Sequence, residues 1–508
     1  LLAGSEPLYD ADGMRALDVW AIDDQGVEGI LLMEQAGRAL ADAVVGIAAA
    51  GDVIVLCGGG NNGGDGYVAA RILRDSGRVV HVVATTPPQQ LTGDAATAYA
   101  RLQGDPPVDW DATLLADAAV VVDALLGTGA TGAPRGVMET IVDKVNACDV
   151  RVVAADVPTG VDASTGEVAG SAVRADVTVT FAAHKLGLWV APGKQYAGNV
   201  IVGPLPYPGR WPLAPSAALI GAGAVRLVPA RGASSTKFTS GHVVVAGGSA
   251  GLSGAPILAA GAAMRAGAGY VTVAVPSGLV RTVDCHLLEA MPLLLPGPSD
   301  RHTVASANAV LEQLQRRGGS MVLGPGLGEG PQAREFVLAV LETGVPTVVD
   351  ADGLNAIAPD LELLAERDGG TVLTPHAGEL ARLMDVSTDE IEARRLHYAR
   401  AAATASGAVV VLKGDDTIVV EPAEGRIAVS RGGAPGLATA GTGDVLAGTV
   451  GAFLSQQMHP YEAASAAVVV HAEAGRRAAA SVGGANGVIA SDVVAALPDA
   501  LEALRGSE

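Results

Sequence analysis

Cysteine is almost absent from this 508-residue chain, which has only Cys57, Cys148 and Cys285. They are odd in number and far apart, which excludes a disulfide framework and any zinc-binding spacing. Read as small hydrophobes in a reducing compartment, they place the chain in the cytoplasm. Aromatic residues make up only 3%, so the cores must be built from alanine, valine, leucine and isoleucine. Lysine is confined to Lys144, Lys185, Lys194, Lys237 and Lys413; arginine carries the rest of the basic charge. Every apolar run is broken by charge or turn residues before the roughly 20 needed to cross a bilayer, so no membrane span is expected. The N-terminus lacks a basic region and a long apolar stretch, so no signal peptide is expected either. Basic charge is outweighed, giving a formal net charge of -21. Nucleic acid and anionic membranes are therefore not expected as partners. A small anionic nucleotide remains compatible, bound by backbone N–H groups, helix N-termini and cations.

What is present is the material of large cores: 49% hydrophobic residues against 17% charged. Pro204, Pro206, Pro208, Pro212 and Pro215 crowd one short stretch. Proline at this density blocks helices and sheet ladders, so 204–223 reads as a linker between domains 1–220 and 224–508. Both sides alternate β-branched runs with Gly-rich turns and amphipathic helices. Val53–Leu56, a helix over 66–76 and a strand over 79–84 form a βαβ unit; 120–123, 152–156 and 177–180 add strands. In the second half, strands are expected at 243–245, 271–273, 321–323, 348–350, 372–373 and 409–412. The fold class is α/β: two three-layer α/β domains, with ligands expected at the carboxyl ends of strands.

In the first half, six glycines lie in the run Gly58-Gly59-Gly60-Asn61-Asn62-Gly63-Gly64-Asp65-Gly66. Missing Cβ atoms let backbone N–H groups approach an anion, and the following helix adds its dipole. A tight turn explains the glycines too, but it does not need Asn61, Asn62 and Asp65 together. Two further strand ends carry Asp123-Ala124-Leu125-Leu126-Gly127-Thr128-Gly129 and Asp156-Val157-Pro158-Thr159-Gly160. Oxygen ligands from Asn62, Asp123 and Thr159 suit an alkali or alkaline-earth cation. Asp156, with no metal duty, is free for acid–base work. Lys185 reads equally as a snorkelled surface lysine and as a site residue. His184 reads as structural or solvent-facing.

These three motifs in order resemble the NAD(P)H-hydrate epimerase domain, a Rossmann-like unit, over most of residues 10–205. The resemblance implies that Asn61, Asn62, Gly63, Gly64 and Asp65 contact a hydrated nicotinamide cofactor. So do Gly127, Thr128, Gly129, Ala130, Thr131, Gly132 and Ala133. It implies potassium at Asn62, Asp123 and Thr159, with Asp156 as the acid–base residue.

In the second half, Gly441-Thr442-Gly443-Asp444 opens a helix whose N–H groups can form an anion hole. Asp444, in the first turn, can take a proton from a hydroxyl that attacks a phosphoryl group, or can simply complement the helix dipole. Gly254-Ala255-Pro256, Gly324-Pro325-Gly326, Asp350-Ala351-Asp352, Pro375-His376-Ala377-Gly378-Glu379 and Lys413-Gly414-Asp415-Asp416-Thr417 fall where strands meet turns or helices. A lysine kept at a strand end in an arginine-rich chain suggests a phosphate or nucleotide contact for Lys413, with chance placement as the alternative. His376 suits helix capping as well as substrate contact.

Together these resemble the ribokinase-like ADP- or ATP-dependent NAD(P)H-hydrate dehydratase, from about residue 225 to 500. That implies hydrate contacts at Ala255, Gly326, His376 and Asp444. It implies nucleotide contacts at Lys413, Gly414, Asp415, Asp416, Thr417 and Gly443, with ADP as co-substrate and magnesium as cofactor. Homo-oligomers are common in the family. The implied chemistry phosphorylates the hydrate's hydroxyl, and the ring nitrogen then expels phosphate. The rival reading is an ordinary vitamin or sugar kinase with a non-catalytic N-terminal ligand-binding module.

Overall fold

The structure, a computed structural model, describes residues 2 and 4–506, and of Pro359 the backbone only. The chain divides into two compact units, one of residues 7–217 and one of residues 218–508 joined by 1–6.

The unit 7–217 is built on six parallel strands. Their order is Val80–Ala84, Asp52–Cys57, Ala118–Ala124, Arg151–Ala155, Val177–Phe181 and Asn199–Gly203. Alternation divides the strands between two cores. Val53, Val55, Val120, Val122 and Val153 pack with Leu40 and Val44 of the helix Gly29–Ile47. Ile54, Leu56, Val121 and Val152 pack with Ile141 and Val145 of the helix Val137–Asn146. Period-2 runs buried on both faces are what a parallel sheet between helices requires. The chain starts at Asp52–Cys57, steps to one side, then returns to the other. The crevice at that reversal, outside the strand ends, is where such sheets bind ligands.

The helix after Asp52–Cys57 spans Asn61–Asp75, so it begins five residues before the expected Gly66. Packing is the reason. A Cβ on Gly63 would lie 2.0 Å from the Gly58 carbonyl oxygen, and one on Gly66 2.8 Å from Ala124 and 2.9 Å from the Cys57 sulfur. These glycines let the helix start against the strand. Only Gly60, with nothing within 4 Å, has the open surroundings expected of an anion-cradling glycine.

The proline-rich stretch also differs from a bare linker. Residues 204–216 form no helix or strand, yet Trp211 stacks on Tyr9 and Tyr207, with ring centroids 5.7 and 5.5 Å away. Leu205 packs against the core of this unit.

Among the described residues, ten strands follow one another in the second unit. Met291–Leu294, Tyr270–Val275, His242–Ala246, Ser320–Leu323, Thr347–Val349, Thr371–Leu373 and Val409–Leu412 run parallel. Ile418–Val420 and Ile427–Ser430 continue antiparallel, and Ala217–Ile220 pairs parallel with the last. Small residues let the helices approach closely in the absence of aromatics. A Cβ on Gly448, in the helix Thr442–Ser455, would lie 2.1 Å from the Ala259 carbonyl of the helix Gly254–Arg265. No helix among the described residues is long and apolar enough to cross a membrane.

Candidate active sites

In the first unit a cavity of about 590 Å³ opens at the carboxyl ends of the strands. Three expected segments meet there: Asn61, Asn62 and Asp65 from the helix start, Gly127 to Ala130, and Asp156. Gly127 is the hinge of this convergence. A Cβ on it would lie 3.0 Å from the Asn62 side-chain oxygen and 3.2 Å from Asp156 Oδ2.

Asp156 follows the strand Arg151–Ala155 in the left-handed region, φ 65°. Such backbone costs about 1–3 kcal/mol in a non-glycine residue and gathers at functional sites. Its Oδ1 lies 2.7 Å from Lys185 Nζ, and its Oδ2 accepts from the Thr128 N–H at 3.0 Å and from the Thr128 hydroxyl. Burial alone would raise this carboxyl, but the Lys185 ammonium and the bonds from Lys185 and Thr128 outweigh it and hold it below the ordinary range. Lys185 is 2% exposed and also donates to the Phe181 carbonyl at 2.7 Å. It is therefore an interior residue, not a snorkelled one. His184 stacks edge-on against Trp189, 5.2 Å between centroids.

Beneath the cavity Asp123 is fully buried. It accepts from the Thr159 N–H at 2.8 Å and the Thr159 hydroxyl at 2.7 Å, and from Leu125 N–H at 3.3 Å. Burial still pushes its carboxyl up to about 6. The Asn62 carboxamide is buried with neither its oxygen nor its nitrogen hydrogen-bonded.

In the second unit Asp444 lies in the first turn of the helix Thr442–Ser455. Burial, then the charge of Asp350, push its carboxyl up to about 7, against the opposing pull of Lys413. Lys413 Nζ is drawn to other partners, 3.0 Å from Asp350 Oδ1 and 3.5 Å from Glu379 Oε2. Those carboxylates, with Asp444, raise the lysine despite its burial, so it stays charged. A Cβ on Gly443 would lie 3.3 Å from Lys413 Nζ, so the ammonium faces the glycine turn that opens the helix. Beside it is a cavity of about 300 Å³ lined by Lys413, Gly414, Asp415, Thr417 and Gly443, with Leu446 and Val468 as apolar wall.

His376 caps the helix Ala377–Met384: its Nδ1 accepts from Glu379 N–H at 3.1 Å, and Glu379 Oε2 accepts from His376 N–H at 2.8 Å. Its ring remains half-exposed, so capping and ligand contact are compatible. Ala255 adjoins Gly326, whose added Cβ would lie 3.3 Å from it.

Family models match two segments. The YjeF-related protein N-terminus matches residues 29–187, and the NAD(P)H-hydrate dehydratase model matches residues 243–498. A bifunctional NAD(P)H-hydrate repair enzyme of Moorella thermoacetica is 36% identical over 98% of this chain and 97% of its own. The chain belongs to the family of bifunctional NAD(P)H-hydrate repair enzymes. The Salinibacter ruber repair enzyme is 39% identical, over 93% of this chain and 92% of its own. The Bacillus subtilis ADP/ATP-dependent NAD(P)H-hydrate dehydratase, co-crystallised with ATP/Mg2+, overlies 56% of this chain and 96% of that one, at 26% identity and a TM-score of 0.46.

Not every residue singled out in this repair-enzyme sequence reaches a cavity. Gly63 and Gly64 are packed against Gly58 and Met33. Thr131 is exposed, Ala133 lies against Gly170, and Gly132 lines a smaller neighbouring pocket of about 210 Å³. The expected nucleotide contact at Asp416 needs correction for its side chain. That carboxylate is buried and held by Arg395, at 2.9 and 3.0 Å, which anchors the loop instead. Conversely, Asp18, Tyr207 and Phe181 line the first cavity without having been singled out. Tyr207 hides in the proline-rich stretch, and its hydroxyl donates to Asp18. Asp350 and Glu379 were inside recognised motifs, but their role around Lys413 depends on which strand ends are neighbours.

Proposed function

We infer that the first cavity interconverts the two epimers of hydrated NADH and NADPH, and that the second site dehydrates one of them with ADP. The single observation that carries this reading is the pair of oppositely tuned aspartates, each at a strand or helix end beside a lysine. Asp156, held ionised, is the base of the epimerase site. Asn61, Asp65 and the 127–130 turn contact the hydrated ring and its phosphates through side chains and N–H groups. A potassium ion fits Asn62, Asp123 and Thr159: the first offers an unpartnered buried carboxamide, the second a buried carboxylate lacking any counter-charge other than hydrogen bonds. Bound there, it would supply positive charge.

In the dehydratase site Asp444, poised near neutrality, takes the proton from the hydrate's hydroxyl. Ala255, Gly326 and His376 border the hydrate. Gly443 and Lys413 face the phosphates; Gly414, Asp415 and Thr417 border the nucleotide. No group of three or more His, Cys, Asp or Glu side chains able to hold a metal ion occurs among the described residues. Magnesium, carried largely by the nucleotide's phosphates, would neutralise their charge. The unpaired cysteines suit a cytoplasmic setting. The units 7–217 and 218–508 are taken as epimerase and dehydratase. Self-association is expected by analogy with the family.

The test is recovery of reduced-nicotinamide absorbance from hydrated NADH. With ADP, both epimers are consumed; without nucleotide, only epimer exchange occurs. A stable phosphorylated product would instead mark an ordinary kinase. Equal recovery with ATP would remove the preference for ADP.

A further inference from the structure

Inverting a carbon that bears a hydroxyl beside a ring nitrogen by loss and return of water requires two proton functions. One group protonates the departing oxygen and another accepts a proton from the water that returns to the opposite face. Asp156 supplies the second, because Lys185 and Thr128 hold it as an anion. The other titratable groups lining the cavity are Arg15, Asp18, Asp65, Asp94, Lys185 and Tyr207. Lys185 is bound to Asp156 and the Phe181 carbonyl, and Tyr207 donates to Asp18. Arg15 pairs with Asp12, and Asp94 lies against Gly29. Asp65 remains. It is 7% exposed, borders the cavity, and no described residue donates a hydrogen bond to its carboxyl. Its charge would meet those of Asp156 and Asp18.

We propose that Asp65 is the second catalytic carboxyl of the epimerase half, the proton donor to the departing hydroxyl. The inference rests on the epimerase reading above. Burial, followed by the charge of Asp156, raises Asp65 well above the ordinary carboxylate range, so the pair carries one proton. Asp65 gives that proton to the hydroxyl oxygen, the carbon–oxygen bond breaks, and the nitrogen lone pair forms a C=N⁺ bond as water leaves. Water then adds to the opposite face. Its electron pair forms the new C–O bond, the C=N⁺ pair returns to nitrogen, and its proton goes to Asp156. A proton passing from Asp156 to Asp65 through cavity water restores the pair. The reverse inversion starts from the other placement of the same proton.

The experiment follows one purified epimer of hydrated NADH with the full-length chain, without nucleotide, in ¹⁸O-enriched water. The native chain incorporates one solvent oxygen per inversion. Asp65→Asn lowers kcat for inversion by about 100-fold or more with KM little changed, and its residual rate lacks the alkaline fall of the native pH profile. Asp65→Glu restores part of the rate. ADP-dependent dehydration of the other epimer is unchanged in both and controls for protein integrity. Inversion without solvent oxygen, or a native rate in Asp65→Asn while Asp156→Asn is inactive, overturns the proposal and leaves the role of Asp156 standing. Loss of epimer affinity in both Asp65 variants also overturns it, marking Asp65 as structural. A native rate in Asp156→Asn would instead remove the epimerase reading itself.

Discussion

In the N-terminal half Lys185 lies 2.7 Å from Asp156 and keeps it an anion. In the C-terminal half Lys413 is 3.0 Å from Asp350 and 3.5 Å from Glu379, and Asp444 is pushed up to about 7. The same two residue types thus give a carboxyl set well below neutrality in one site and one poised near neutrality in the other. What differs is which carboxylate the ammonium touches: Asp156 in one site, Asp350 and Glu379 in the other. Direct contact with Lys185 and Thr128 depresses Asp156 despite its burial; Asp444 is raised first by burial and then by the charge of Asp350.

The comparison breaks most visibly at Asp444. Asp444→Asn should lower dehydration by about 10²–10⁴-fold while epimer exchange continues at the native rate, both read on one sample by absorbance and chromatography. Next in size is Lys185→Met. Removing one partner of a buried pair costs about 3–5 kcal/mol, so the transition of the epimerase half in a urea melt should move down. Asp156, no longer opposed by the ammonium, should titrate higher, so that the remaining epimerase activity rises with pH. A smaller effect is expected at Gly66→Ala, whose methyl meets Ala124 and Cys57 at 2.8 and 2.9 Å. Overpacking of this kind costs about 1–3 kcal/mol, confined to the epimerase half in the same melt.

Stability sharpens the contrast further. A carboxyl raised from its ordinary value to about 7 binds protons more tightly folded than unfolded. Its contribution to stability is present below the unfolded value near 4 and is lost as pH rises through about 7. Asp444→Asn should therefore melt higher than the native chain at pH 8, with the gap closing towards pH 4.

The α/β character was legible because β-branched runs are short, buried on both faces and spaced by amphipathic helices. Asn62 and Asp444 were legible because they sit at helix starts beside glycines, and Asp156 because it closes a strand. What could not be read was pairing across the sheet. Lys185 follows one strand and Asp156 another, and only the strand order brings Nζ to the carboxylate. Asp416 stands in a recognisable loop motif, yet Arg395, some twenty residues away in sequence, turns its carboxylate inward. Tyr207 was hidden because proline density signals the absence of regular structure, not the absence of a role. The glycines of 58–66 misled in part, since a helix packed tightly on a strand requires missing Cβ atoms for the same steric reason as a bound phosphate.

The most direct test is the pH dependence of the two activities in one preparation of the native chain, with dehydration started from the epimer it accepts. The dehydration kcat should climb through about pH 7 as Asp444 loses its proton and then level off. Epimer exchange should show no such climb, because Asp156 is already ionised throughout that range. A common rise in both activities, or a dehydration rate flat from pH 5 to pH 9, would contradict the claim that the two sites hold their aspartates in opposite states.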